Sequence, residues 1–164
     1  MLKKQIISTP IGNMSLVASS KGLVGAWFED QKHFEKGIAE MICFQSDGIF
    51  EETSQLFAEY FLGQCPDFRH LRLDMRGTAF QVKVWELLQE IPFGETVSYG
   101  QIAKQLNVHS SQAVGGAVGR NPFSIIVPCH RVVGSKGQLT GYAGGLDKKI
   151  WLLKHENPQF EVKK

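Results

Sequence analysis

The chain has 164 residues, 43% of them hydrophobic and 21% charged, with 17 Gly, 6 Pro and 3 Cys. That composition excludes collagen-like, low-complexity and disulfide-framework classes, and the length suffices for one large domain or two small ones. The formal net charge of +2 hides an asymmetry: residues 1–74 hold 7 Lys+Arg against 10 Asp+Glu, net −3, and residues 75–164 hold 11 against 6, net +5. The basic half admits a polyanion partner without requiring one. The change of sign near Asp74–Arg76 marks a boundary and divides the chain into 1–75 and 76–164. Three scattered cysteines, Cys43, Cys65 and Cys129, argue for a reduced compartment, and no apolar run has the length of a signal peptide or a bilayer span. A cytoplasmic protein without a membrane segment is expected.

In chain order, residues 5–28 read as a β-hairpin. Ile7, Met14–Ala18 and Leu23–Phe28 are strand-like runs, and Ser19-Ser20-Lys21-Gly22 supplies turn chemistry. Residues 31–43 carry a weak helical pattern. In 51–62, Leu56 with Tyr60 and Phe57 with Phe61 recur at helical spacing, and Gly63 is the stop. Phe68 to Leu73 reads as a further strand. His33 and His70 are read as ordinary surface residues, and Cys43 and Cys65 as small packing residues.

The second half is better signed. Thr78 and Gln81 form a capping box ahead of a helix with Phe80, Val84, Leu87, Leu88 and Ile91 on one stripe, ending at Pro92. Ser98 to Leu106 and Ser110 to Gly119 are two short helices around a turn that holds His109, a helix-turn-helix pattern. The second of these contains Gly115, Gly116 and Gly119. Each internal Gly costs about 0.8–1.0 kcal/mol relative to Ala, roughly 3 kcal/mol together. Two explanations are open: the helix brings its backbone very near a partner, or it packs tightly on its neighbour. Leu146 to Glu156 is a last helix with Leu146, Ile150 and Leu153 as its stripe, and residues 157–164 read as a frayed tail.

Between the helices lies Pro128-Cys129-His130-Arg131. Only the thiolate of a cysteine is a strong nucleophile, and neighbouring cationic side chains lower a thiol pKa. Cys129 has His130 and Arg131 beside it, whereas Cys43 and Cys65 have no such company. Consecutive strand residues point to opposite faces, so a water or a local turn at Pro128 must connect the side chains. From these residues alone, a reactive cysteine, a cysteine hydrolase and a non-enzymatic DNA binder all remain open. The absence of any CxxC pair argues against a zinc site.

Asn121-Pro122, Pro128-Cys129-His130-Arg131-Val132-Val133-Gly134, Gly141-Tyr142-Ala143-Gly144-Gly145-Leu146 and Trp151-Leu152-Leu153-Lys154-His155-Glu156 closely resemble the O6-alkylguanine-DNA alkyltransferases of bacterial type. Arg76–Gln81, Phe93–Tyr99 and Ala113–Ala117 are similar to that family as well. Thr9-Pro10-Ile11-Gly12 and the hairpin match it loosely. The resemblance implies an α+β fold: a small N-terminal sheet-plus-helix domain, then a mainly helical, winged-helix-like C-terminal domain with the helix-turn-helix. It also implies a monomeric, single-turnover repair methyltransferase that needs no cofactor or metal. Such a protein flips O6-alkylguanine out of double-stranded DNA from the minor groove and moves the alkyl group irreversibly to Cys129. O4-methylthymine is a second candidate substrate.

By the same resemblance, Glu156, His130 and a bridging water deprotonate Cys129, Asn121 orders the site's loop, and Tyr99 protonates the leaving guanine. Val118, Val132, Tyr142 and Ala143 line the base pocket, while Ser98, Gln112, Ala113, Gly115 and Gly116 meet DNA. Alkyltransferase-like binders replace the acceptor cysteine, so the presence of Cys129 argues for the enzyme. One position departs from the family: Gln112 stands where an arginine is usual. It keeps hydrogen-bonding capacity but lacks charge and a guanidinium plane, so weaker DNA binding is expected.

Overall fold

The apolar runs of the first 28 residues form three strands rather than a single hairpin. β1 (Leu2–Thr9), β2 (Gly12–Ser19) and β3 (Gly22–Phe28) make an antiparallel meander in a computed structural model that describes residues 1–163. A short β4 (Ile42–Phe44) joins β1 in parallel, giving the order β3-β2-β1-β4. Every residue of β3 is buried although the strand is at the sheet's end. Its outer edge is covered twice, by Leu23 N–H donating to Arg72 O (2.9 Å) and by Ala26 N–H donating to Pro122 O (2.8 Å). Pairing of this kind removes the open row of backbone groups that an edge strand exposes. These elements belong to one compact unit, Met1–Arg76 with Pro122–Ile126; a second comprises Gly77–Asn121 and the chain from Val127 on.

Two segments of the first unit depart from the expected secondary structure, both for tertiary reasons. Residues 31–43 are turns leading into β4, not a helix: His33, Glu35 and Gly37 have φ of 60°, 52° and 85°, which no α-helix tolerates. Phe34, Ile38 and Ile42 pack on Leu2, Val17, Val24 and Trp27, and Glu35 accepts hydrogen bonds from Lys4 and Ser15. Phe68 to Leu73 is likewise no strand. Asp67 caps a 3-10 turn at Phe68–His70, and the three-residue period buries Phe68 and Leu71 together. Phe68 meets Phe57 and Tyr60 of α1 (Gly48–Phe61), with ring centroids 5.6 and 6.2 Å apart. Cys65 is exposed and Cys43 half-buried, so neither fills the core as expected.

In the second unit three helices start on side-chain caps. α2 (Ala79–Leu88) and α3 (Tyr99–Gln105) carry complete capping boxes from Thr78 and Ser98, and Ser110 caps α4 (Ser111–Gly119). Such caps are worth about 1 kcal/mol each and fix where the helix begins. The buried side of α2 is Val84, Trp85 and Leu88, with Phe80 and Leu87 only half-buried, and the Trp85 indole donates to Ala117 O at 2.9 Å. α3 and α4 form the expected helix-turn-helix, with Asn107 at φ 57° in the turn. β5 (Val97–Ser98) and β6 (Val132–Val133) pair in parallel, unlike the antiparallel hairpin of a wing.

α5 (Leu146–Glu156) buries a different face from the one its apolar pattern predicts. Leu146 is 45% exposed, and the buried positions are Lys149, Leu152, Leu153 and Glu156. The tail is ordered where it was expected to fray: Phe160 N–H donates to Asn157 O, and Lys163 bridges Gln138. The expected fraying of residue 164 lies outside the described residues. Among the described residues, no helix is long and apolar enough to cross a membrane.

Candidate active site

Pro128 shapes the backbone that presents the cysteine. Its φ of −80° and ψ of 65° are those of an inverse γ-turn, and Cys129 N–H accordingly donates to Val127 O at 2.7 Å. The same carbonyl accepts Asn121 Nδ2 at 2.8 Å, so one oxygen ties Asn121 to the turn. A 3-10 turn over Cys129–Arg131 follows, so the β-branched run does not continue as a strand through the cysteine. Three consecutive side chains are thereby fanned into the interior, and Cys129, His130 and Arg131 are all buried.

Glu156, on the last turn of α5, is the anchor. His130 Nε2 lies 2.6 Å from its Oε2, while Arg131 reaches both oxygens, Nε to Oε1 at 2.7 Å and Nη2 to Oε2 at 3.0 Å. Arg131 Nη1 donates to Ile91 O at 2.7 Å. Burial alone would raise the Glu156 carboxyl; the His130 ring and the Arg131 guanidinium outweigh it and hold the group well below the usual carboxylate range. His130 moves the other way from an exposed imidazole: burial pushes it down further than Glu156 pulls it up. A neutral ring that donates from Nε2 to a carboxylate has its lone pair on Nδ1, and Nδ1 has no hydrogen-bond partner among the described residues.

The lowering of the thiol that cationic neighbours would bring does not come from His130 or Arg131, neither of which acts on Cys129. Both are committed to Glu156. Burial pushes the Cys129 thiol up, opposed by a hydrogen bond from Asn121 and by the positive charge of Lys149. Lys149 was not legible as a site residue. It is fully buried, donates to Val132 O at 2.6 Å and Gly141 O at 3.3 Å, and burial lowers it to about 8. Its one signal in the sequence is its place on a face with Leu152, Leu153 and Glu156 at helical spacing.

Tyr99 opens α3, and its hydroxyl accepts from Thr140 Oγ1 at 3.2 Å. Burial raises it above the ordinary phenol range, and it senses charge on Cys129. Val118 and Val132 are buried, and Tyr142 and Ala143 are half-buried. Gln112, Ala113 and Gly116 are exposed on α4. Ser98 Oγ accepts from Gln101 N–H at 3.0 Å as the cap of α3. A Cβ built on Gly115 or Gly116 would come no closer than 3.9 Å to any neighbour, and on Gly119 it would meet nothing within 4 Å. Packing inside the protein therefore does not require these glycines.

A helix-turn-helix unit with a buried Cys-His-Glu constellation behind it defines a class, and comparison with known proteins gives the family. Residues 79–158 match the model of the 6-O-methylguanine DNA methyltransferase DNA binding domain, and residues 2–75 that of its ribonuclease-like domain. The chain belongs to the 6-O-methylguanine DNA methyltransferase family. It is 45% identical over 152 residues to the methylated-DNA–protein-cysteine methyltransferase of Methanosarcina acetivorans, covering 92% of this chain and 96% of that one. The protein of the same name from Mycobacterium leprae is 40% identical over 160 residues, covering 97% and 94%. Among solved structures, the O6-methylguanine methyltransferase of Mycobacterium tuberculosis superposes with a TM-score of 0.83 at 37% identity, covering 99% and 97% of the chains. A crystal structure of the Mycobacterium tuberculosis protein in complex with DNA gives 0.85 at 39%, covering 95% and 93%.

Proposed function

We propose that this chain repairs O6-alkylguanine in double-stranded DNA by moving the alkyl group to Cys129, once per molecule. The observation that carries the reading is a buried thiol hydrogen-bonded to Asn121 beside a neutral His130 whose far nitrogen is anchored on an ionised Glu156. In this reading the thiol proton passes through a water to His130 Nδ1, and the imidazolium that forms is stabilised by Glu156 Oε2. The thiolate attacks the alkyl carbon in line with its bond to O6. A C–S bond forms, the C–O bond breaks, its electron pair goes to the purine, and Tyr99 donates a proton to the leaving guanine's ring nitrogen. Positioned general acid–base groups of this kind contribute roughly 10²- to 10⁴-fold. The product is a thioether with no leaving group, so turnover stops at one. All the named side chains come from one chain, so a monomer suffices, and a thiol that must stay reduced suits the cytoplasm.

Recognition falls to the helix-turn-helix. Glycines that internal packing does not require support close approach of the α4 backbone to a minor groove about 6 Å wide. Flipping the base costs a few kcal/mol, least for a poorly paired lesion. Val118, Val132, Tyr142 and Ala143 would then line its pocket. O4-methylthymine, with its own O-alkyl carbon, is open to the same attack. The test is intact-protein mass after incubation with an oligonucleotide carrying O6-methylguanine. Wild type should gain one methylene at Cys129 and Cys129→Ala none; an unmodified wild-type protein would overturn the proposal.

A further inference from the structure

We propose that Lys149 is a positioning residue for this reaction: its positive charge favours the Cys129 thiolate, and its ammonium ties together the two backbone segments that flank the acceptor. The inference rests on the alkyl-transfer reading and goes beyond it, because the imidazolium that the relay creates is drawn to Glu156 on its far side, whereas Lys149 bears on the thiolate directly. Of the two buried cations, Arg131 is already neutralised by Glu156 in a two-pronged pair. Lys149 has no carboxylate within ion-pair distance among the described residues; its ammonium meets only the carbonyls of Val132 and Gly141. The titratable groups that face it are on the 3-10 turn: Cys129, whose negative charge it favours, and His130, which it helps to keep neutral. A buried ammonium without a carboxylate is costly to a fold, and its retention points to function.

The geometry gives Lys149 a second task. Val132 follows the Cys129–Arg131 turn, and Gly141 precedes Tyr142 and Ala143. One ammonium donating to both carbonyls fixes the spacing of these segments, with one partner 17 and the other 8 residues away in sequence.

The competent form pairs a protonated Lys149 with an ionised Cys129. Below the thiol's titration the nucleophile is missing; above about pH 8 the lysine loses the proton that stabilises it. Tyr99, held above the ordinary phenol range, does not titrate in this window. Two measurements test the proposal. In a Cys43→Ser, Cys65→Ser background, ultraviolet thiolate absorbance reports Cys129 alone. Lys149→Met should raise its midpoint by about one unit or more and slow methyl transfer near neutral pH by about tenfold. An unchanged thiol midpoint would overturn the proposal even if transfer slowed, and would leave the alkyl-transfer reading untouched. Should Lys149→Met fail to fold by circular dichroism, the wild-type protein carries the test. Its single-turnover rate at saturating protein should pass through a maximum and decline above about pH 8, whereas a rate still climbing beyond that point would refute the role.

Discussion

Glu156 accepts from more donors than any other side chain of the site: both arms of Arg131, the His130 ring and, at 3.4 Å, the Gly94 amide. Its two partners answer different needs. Arg131 joins the His130 ring in holding the carboxylate well below the usual range, and the His130 bond selects the tautomer whose Nδ1 can receive a proton. Glu156→Gln keeps the size and removes the charge, leaving a buried guanidinium without its counter-ion. Breaking a buried pair from one side costs about 3–5 kcal/mol. Denaturant unfolding should show a loss of that size, with methyl transfer slowed at least tenfold in whatever fraction stays folded. A variant with wild-type stability would mean that solvent, not Glu156, neutralises Arg131. The motif made Cys129, His130 and Glu156 legible as a set, but adjacency does not tell which atoms meet. His130 and Arg131 follow Cys129 in sequence, yet the 3-10 turn aims both at Glu156, and the thiol answers to Asn121 and Lys149. No linear pattern reveals this, because which way three neighbouring side chains point depends on the backbone turn beneath them.

At the scale of elements, α4 sets stability against recognition. Gly116 is exposed and has room for a methyl group. Gly116→Ala should therefore stabilise the fold by about 0.8–1.0 kcal/mol, the difference in helix propensity. If the glycine serves close approach to DNA, the same substitution should weaken duplex affinity severalfold in a gel-shift or anisotropy titration. Improved stability with unchanged affinity would remove the reason offered for the glycine. Gln112, exposed on the same helix, makes the companion prediction: Gln112→Arg should tighten duplex binding at low salt without altering the transfer rate at saturating DNA. The helices of this part are legible in the sequence because their signals are local. The Thr78 and Ser98 capping boxes and the Ser110 cap stand in the sequence and act within one turn. Residues 31–43 and 68–73 escape a local pattern because their backbone answers to distant contacts, the Phe34 and Ile38 packing in one case and the edge of β3 in the other.

For the whole molecule, the buried charges set how stability depends on pH. His130 is depressed by burial, so between its folded value and the ordinary one near 6.5 the unfolded chain binds the extra proton, and stability falls as pH drops through that interval. Glu156 is depressed too. Its contribution is complete above the unfolded carboxylate value of about 4.3 and is lost as pH falls toward the folded one. The signs agree, so the melting temperature should decline steadily from neutral pH to about pH 4. A flat acid limb would contradict a buried neutral His130. On the alkaline side, Cys129 is raised and Lys149 lowered, so their contributions oppose each other and the trend should be shallower.

Read alone, the sequence determined that the chain has an acidic sheet-and-helix part and a basic helical part, where the helices of the latter begin, and which cysteine has chemistry. Caps, period and motif act over a few residues, so they survive in one dimension. The three-dimensional fold decided the rest: the true buried face of α5, the pairing of Arg131 with Glu156 and the presence of Lys149 beside the acceptor. A charged residue can be buried only where remote segments bring carbonyls or counter-ions to it. Lys149 draws its carbonyls from Val132 and Gly141, and only folding carries those oxygens to its ammonium.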